Sequence, residues 1–168
     1  MVQHIAMLLV AGLALACDFA GSSGPRDIPV RVGGIVLDPL TDTPVVVLRE
    51  ESGERTLPIW IGESEARSIA SEMEQIVPPR PNTHDLTKRL LHGLEATVDR
   101  AVVTELQKGT YFAVLVVHTG GRRVEVDARP SDAIAIALRV KAPLFVREAL
   151  FDAANEQVVE EPEDALSL

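Results

Sequence analysis

The chain has 168 residues, of which 46% are hydrophobic and 4% aromatic, and its formal net charge is −9. This length and composition predict one domain with a core of Val, Ile, Leu and Ala, and the single cysteine excludes an intramolecular disulfide. All 16 Lys and Arg residues, but only 18 of the 25 acidic residues, lie before Glu148. The body of the chain is therefore close to neutral, so any contact with nucleic acid has to be local.

The N-terminal segment has the features of an export signal. Ile5–Ala16 is a continuous apolar run, too short to span a bilayer as a helix and of the length of a signal-peptide core. It ends in LALAC, which resembles the lipobox of bacterial lipoproteins and places the cysteine, Cys17, where the lipid is attached. We predict a lipoprotein-type signal peptide over 1–17, lipidation at Cys17 and a membrane-anchored protein of the cell envelope. A secreted or periplasmic protein is the first alternative, and a cytoplasmic protein is the second.

The segments on both sides of the predicted domain differ from it in composition. Residues 18–29 contain a Gly/Ser/Pro stretch that holds no regular element, which predicts a flexible linker. The domain is predicted over 30–155. The acidic tail, 156–168, is predicted to be disordered because blocks of like charge with few apolar residues seldom pack.

The first half of the domain predicts three strands and two helices. Apolar, β-branched runs separated by turns indicate a meander of strands at Val30–Leu37, Thr43–Glu50 and Arg55–Ile61. A helix is predicted over Glu63–Ile76, ended by a proline-rich spacer. A second helix is predicted to begin after Thr83, as its cap, and to end at Gly93.

The second half repeats this pattern. Strands are predicted at Glu95–Leu106, Thr110–His118 and Arg122–Asp127. An Ala/Ile helix follows to about Lys141, then a short strand over Leu144–Arg147 and a last helical turn near Ala149–Ala154.

An internal repeat connects the two halves. Shifting the chain by 67 positions aligns Thr43–Ala70 with Thr110–Ala137 without a gap, and it places Ser64 on Ser131 and Glu65 on Asp132. Two copies are too few for a solenoid. We therefore predict an α+β fold: one compact domain built on a duplicated strand–strand–helix unit, with a mixed or antiparallel sheet packed with helices.

A charged cluster lies where the last long strand turns into the Ala/Ile helix, in the segment VDARPSDAIAIAL. It contains Asp127, Arg129, Ser131 and Asp132. Pro130 biases Arg129 towards extended geometry, and Ser131 or Asp132 can accept from the free N–H groups of the helix. Two interpretations stay open: an internal clamp in which Arg129 bridges carboxylates, or a working site.

Other polar residues have the same two interpretations. His84 and Asp85 begin the second helix, where they either cap it and compensate its dipole or act in a site. Trp60, at the end of its strand, is expected to be a core or interface aromatic rather than a platform for stacking bases.

Three motifs in this order, LPIWIGESEARSI, PRPNTHDLTKRLL and VEVDARPSDAIAIALRVKAPLFV, resemble the bifunctional nuclease (BFN) domain family over Val30–Asn155. The resemblance implies a compact α+β domain with a duplicated core. It also implies a homo-oligomer and a nuclease that acts on DNA or RNA, although a fold does not by itself carry a chemistry.

The nuclease hypothesis assigns roles to residues of both charged segments. Asp127 and Asp132 would hold Mg²⁺ or Mn²⁺, Arg129 would act on phosphate charge, and His84 would be a base or ligand, with Asp85 beside it as a further catalytic candidate. The alternative is a non-catalytic binding or assembly module, anchored by lipid at Cys17, in which the charged cluster is a structural clamp.

Overall fold

One mixed sheet of seven strands forms the centre of the computed structural model, which describes residues 25–153. In chain order the strands are β1 (Asp27–Leu37), β2 (Pro44–Glu50), β3 (Thr56–Trp60), β4 (Thr97–Gln107), β5 (Thr110–Thr119), β6 (Arg122–Ala128) and β7 (Leu144–Arg147). Their order in the sheet is β3-β2-β1-β7-β4-β5-β6. Neighbouring strands are antiparallel except β4 and β7, which are parallel. The short strand β7 therefore joins the two meanders, β1–β3 and β4–β6, into one sheet.

Three helices pack with this sheet: α1 (Glu63–Met73), α2 (Thr83–Gly93) and α3 (Pro130–Val140). A helical turn at 149–153 ends the described residues. Helix α3 packs against β4 and β5, and both α1 and α2 pack against α3. The predicted α+β fold is confirmed, and its duplicated unit is present as β2–β3–α1 and as β5–β6–α3.

The sequence of α3 explains its central position. Its residues 133–137 are all buried, as expected for a helix that is apolar on every side. They pack with Ala113, Leu115 and Val117 of β5 in one core cluster. Helix α3 follows directly after the end of β6, so its first residues lie at the end of that strand.

The three helices end in the same way, which corrects two predicted boundaries. The residues just after α1, α2 and α3 include one in the left-handed conformation, namely Gln75, Glu95 and Lys141. In each case the next N–H donates to the carbonyl five residues back, which is the Schellman arrangement. Helix α1 therefore ends before the predicted Ile76, and Glu95 belongs to the end of α2 rather than to strand β4.

The cap of α2 also differs from the prediction. Asn82, not Thr83, is the N-cap: its side chain accepts from the N–H of Asp85, and the carboxylate of Asp85 accepts from the N–H of Asn82. This reciprocal pair is a capping box. It fixes the orientation of the Asn82 amide group.

The domain begins earlier than the sequence indicates. Asp27, Ile28 and Pro29 were assigned to the linker, but they belong to β1 and pair with β7. Ile28 is buried, and Asp27 accepts from Arg147 at 2.9 Å. These contacts are made with residues about 120 positions away, so composition alone could not reveal them.

Several predictions concern residues outside the described range. The signal peptide over 1–17, with Cys17, lies outside residues 25–153, as do most of the linker and the whole acidic tail. Within the described residues, no helix has the length and hydropathy needed to cross a membrane.

We expect Ile28→Ala to lower the free energy of unfolding by about 2–4 kcal/mol, since it removes a buried side chain from the sheet. Val36→Ala is the matched control, because Val36 lies in the same strand but is 54% exposed. It should cost less than about 1 kcal/mol. Urea denaturation measures both. If both substitutions had equal, small effects on the free energy of unfolding, the first residues of β1 would not belong to the folded domain.

Candidate active site

Polar side chains from all three helices meet where the helices begin. Helix α1 contributes Glu65 and Ser68, α2 contributes His84, and α3 contributes Asp132 together with Arg129, its N-cap. We call these five residues the helix-start cluster. They line an open cavity of about 380 Å³. The cavity has the size of a small-molecule site.

Arg129 connects two of the helices through their carboxylates. Its Nε donates to Oδ2 of Asp132 at 2.8 Å, and its Nη2 donates both to Oδ1 of Asp132 at 3.0 Å and to Oε1 of Glu65 at 2.7 Å. The side chain is 65% exposed. Within residues 25–153 its Nη1 has no hydrogen-bond partner. One side of the guanidinium is therefore used for the cluster, and the other is open to solvent.

His84 extends the cluster inwards. Its Nε2 lies 3.1 Å from Oδ1 of Asp132, and its Nδ1 lies 2.8 Å from Oγ of Ser68. Both His84 and Ser68 are buried. A continuous line of hydrogen bonds therefore runs from the interior, through the imidazole, to a carboxylate at the cavity.

The partners of Ser68 fix the proton on this imidazole. Oγ of Ser68 accepts from Nη2 of Arg139 at 2.9 Å and from Nδ2 of Asn82 at 3.0 Å, and both of these atoms are donors only. The two lone pairs of the hydroxyl are thus occupied, and its proton donates to Nδ1 of His84. The neutral ring then carries its own proton on Nε2 and donates it to Asp132.

Arg139 is the buried cation of the domain. Only 3% of this residue is exposed, and its guanidinium donates to Oδ1 of Asp85 on α2 at 2.7 Å. It also donates to the carbonyl and hydroxyl oxygens of Ser68 on α1 and to the carbonyl of Ala135 on α3. One side chain therefore ties the three helices together. The sequence left Arg129 as either an internal clamp or part of a working site. Arg129 does bridge the carboxylates of Glu65 and Asp132, but it is exposed, and the buried clamp is Arg139, which the sequence did not identify.

Two aspartates that bind arginine, Asp132 and Asp85, are held in their ionised form. Burial raises the pKa of Asp132, but hydrogen bonds from Arg129 and His84 outweigh it and hold the pKa below its usual value. Asp85 behaves in the same way: burial raises its pKa, whereas Arg139 and the N–H of Asn82 lower it further. The hydrogen bonds to Asp132 and Glu65 raise the pKa of Arg129. The exposed end of the cluster therefore stays charged near neutral pH.

The structure brings together three of the five predicted site residues. His84, Arg129 and Asp132 belong to the helix-start cluster, whereas Asp85 is one residue from His84 but turns to Arg139. Asp127 pairs with Val114 in the sheet, while its neighbour Ala128 pairs with the core residue Ala113. Because neighbouring residues of a strand point to opposite faces, Asp127 lies on the face away from the helices.

The predicted metal pair of Asp127 and Asp132 is therefore not brought together. In the part of the chain that the structure describes, no three His, Cys, Asp or Glu side chains converge in a way that could hold a metal ion. The cluster instead offers two carboxylates, Glu65 and Asp132, on either side of one Arg129 nitrogen atom. Two is within the number of protein carboxylate ligands that Mg²⁺ often has when substrate phosphate supplies other ligands.

Sequence reasoning missed several residues around the site. The internal repeat did align Glu65 with Asp132, but no role in the site was assigned to it. Arg139 is the only cation of α3 and follows directly after its apolar run 133–138, and this isolation is a sign of a buried, paired charge. Ser68 and Asn82 gave no comparable signal, because their roles depend on contacts between helices.

Comparisons with a family model and with individual proteins indicate the same family. A family model described as the bifunctional nuclease domain matches residues 46–159. An uncharacterized protein of Mycobacterium tuberculosis is 44% identical over 135 residues, which is 80% of each chain.

More distant plant relatives carry a functional name. A protein of Arabidopsis thaliana named bifunctional nuclease 1 is 31% identical over 121 residues, 70% of this chain and 37% of its own length. The protein named bifunctional nuclease 1 of Oryza sativa subsp. japonica is 28% identical over 109 residues, 63% of this chain and 33% of its own length. The chain thus spans little more than a third of these relatives.

We expect Arg139→Met to lower the free energy of unfolding by about 3–5 kcal/mol, because it leaves Asp85 without its buried cation. The exposed Arg129 is the matched control, and Arg129→Met should cost about 1 kcal/mol or less. Urea denaturation at neutral pH compares the two. A larger loss of unfolding free energy for Arg129→Met than for Arg139→Met would show that Arg129 is the main clamp.

The lowered pKa of Asp85 predicts how stability depends on pH. Its ion pair stabilises the folded protein fully above the ordinary value of 3.8 and is lost as pH falls through the lower folded pKa. Asp85→Asn should therefore cost about 1–3 kcal/mol at pH 7, and its deficit should shrink below about pH 4. Denaturation at pH 7 and at pH 3 measures this. A deficit that is constant with pH would contradict the ion pair.

Proposed function

The chain belongs to the bifunctional nuclease domain family, and we propose that it is a nuclease that hydrolyses phosphodiester bonds of DNA or RNA. The observation that carries this proposal is the helix-start cluster, where two carboxylates and a guanidinium line an open cavity. The plant relatives named as nucleases support the same activity.

Arg129 is the residue we assign to the phosphate. Its side chain is 65% exposed, and its Nη1, which has no partner among residues 25–153, has donors available for a phosphate oxygen. Arginine binds phosphate through charge-assisted hydrogen bonds. The same donors would stabilise the negative charge that develops on the phosphate oxygens as water attacks.

Glu65 is the carboxylate we assign to the attacking water. Both oxygens of Asp132 already accept from Arg129, and one of them also accepts from His84. Only Oε1 of Glu65 accepts from Arg129, which leaves Oε2 for a water molecule. We propose that Oε2 takes a proton from this water as the water oxygen bonds to phosphorus, while the P–O bond to the leaving nucleotide oxygen breaks and that oxygen takes a proton from solvent. Asp132 then orients Arg129, and His84 is a positioning residue for Asp132.

A divalent cation, Mg²⁺ or Mn²⁺, is part of the proposal. Glu65 and Asp132 are the residues that would hold it, together with oxygens of the substrate phosphate, and Asp132 would then exchange a hydrogen bond from Arg129 for the cation. A cation bound there would neutralise phosphate charge and lower the pKa of a bound water. The near-neutral body of the chain supports such a requirement, because its 16 Lys and Arg residues are balanced by 18 acidic residues and leave no net positive charge to offset that of a nucleic acid.

We also propose that the nuclease is attached to the cell envelope through a lipid on Cys17. This proposal is supported by the apolar run and the LALAC ending of the N-terminal segment. Nucleic acid at that location would be substrate from outside the cytoplasm.

The proposal is tested by cleavage of labelled single-stranded and duplex DNA and RNA, with Mg²⁺ or Mn²⁺ and with a chelator. We expect Glu65→Gln to lower the rate by about 100-fold or more, the range of a positioned acid–base group. Asp132→Asn should lower it by about 10–100-fold, because Arg129 loses the carboxylate that orients it. A chelator should abolish cleavage.

Asp127→Asn is the matched control, because Asp127 is also a carboxylate of the VDARPSD segment but lies on the other face of the sheet. It should cleave at the wild-type rate. If Glu65→Gln, Asp132→Asn and Asp127→Asn all cleaved at the wild-type rate, the activity would belong to a contaminant. No cleavage by the wild-type protein would instead favour the non-catalytic binding or assembly module.

A further inference from the structure

A second cavity, of about 430 Å³, lies next to the helix-start cluster. Its lining includes Ile59, Trp60, Tyr111 and Pro130, and it shares Arg129 with the first cavity. The first cavity is lined by charged groups, whereas the second has aromatic and aliphatic walls. A ligand with its charged part at Arg129 and a flat apolar part beside it would fit both.

Trp60 is an exposed aromatic residue held in a fixed orientation. It is 53% exposed, so it is not the core residue that the sequence allowed. Its indole Nε1 donates to Oδ2 of Asp38 at 2.8 Å. Because this hydrogen bond is made to an ionised carboxylate, it restrains the ring. A restrained aromatic face binds a flat partner at little cost in conformational entropy.

Tyr111 supplies a polar group in the same cavity. Its ring is partly buried, and among the described residues its hydroxyl has no hydrogen-bond partner. Burial raises the pKa of this phenol, so the hydroxyl keeps its proton at neutral pH. It is therefore a donor that could bind the polar edge of a ring.

We propose that the cavity beside Trp60 binds one unpaired nucleobase of a single-stranded nucleic acid, next to the phosphate held by Arg129. This inference rests on the proposed nuclease function, and it adds the class of substrate. Aromatic side chains stack on unpaired bases of any sequence. Bases within a duplex are already stacked and paired, which favours a single strand.

The charge of the chain supports the same conclusion. The body is close to neutral, so the release of counterions can supply little of the binding free energy. Stacking in a cavity is an alternative source of affinity that does not need a basic groove.

The test uses the intrinsic fluorescence of Trp60, which is the only tryptophan of the chain. The full wild-type chain is titrated with an eight-nucleotide oligothymidylate in the presence of a chelator, which the proposed function expects to stop cleavage. The comparison ligands are an abasic deoxyribose-phosphate chain of the same length and a duplex. We expect quenching by the oligothymidylate and much less by the other two. Equal quenching by the abasic chain would overturn the base site.

Affinity for a dye-labelled oligothymidylate gives a second measurement. Trp60→Ala should weaken binding about tenfold, the effect of losing one stacked base, and Trp60→Phe should restore most of it. Leu40→Ala is the matched control, since Leu40 is 93% exposed and lies outside the cavity. Circular dichroism melting checks that each variant is folded. Unchanged binding by folded Trp60→Ala would overturn the proposal.

Two further outcomes separate this inference from its alternatives. Trp60 fluorescence that depends on protein concentration without nucleic acid, together with a dimer lost in Trp60→Ala, would overturn it in favour of an interface between copies. Cleavage by the wild-type protein is measured independently. Quenching without cleavage would support the base site and reject the nuclease proposal. Cleavage without quenching would support the nuclease proposal and reject the base site.

Discussion

Arg139 places a buried guanidinium where the three helices meet, and the geometry of the site depends on it. By donating to Ser68, it helps to saturate the hydroxyl oxygen, so that the hydroxyl proton is left for His84. His84 in turn donates to Asp132. A residue with no contact to the predicted phosphate position therefore determines that Nε2 of His84 presents a proton to Asp132. Losing a buried cation would disturb packing and site together.

The duplication explains why two carboxylates share one cation. Glu65 and Asp132 occupy equivalent positions in the two copies of the unit, and both bind Arg129. The position equivalent to Arg129 in the first copy is Gly62. The pseudo-symmetric helix pair thus supplies two matching acids, and one unmatched residue joins them. The site arises from this difference between the copies.

Arg129 lines two cavities, which is why we place it at the junction between the phosphate and the base of the substrate. On one side lie the carboxylates of the helix-start cluster, and on the other lies the aromatic cavity with Trp60. A nucleotide has the same division, with a charged phosphate and a flat base. Because the body of the chain has little net charge, we expect it to select nucleic acid by local shape and stacking instead of by long-range electrostatic attraction.

The sequence by itself determined the elements and the fold class, because hydrophobic period, caps and turns are local properties. It also indicated the Arg129–Asp132 pair, whose members lie three residues apart. It could not determine that Asp85 turns away from His84 or that Asp127 faces the other side of the sheet. It could not place Arg139 on Ser68, 71 residues away. Those contacts depend on how the helices pack against the sheet and against one another, and only the tertiary structure decides that packing.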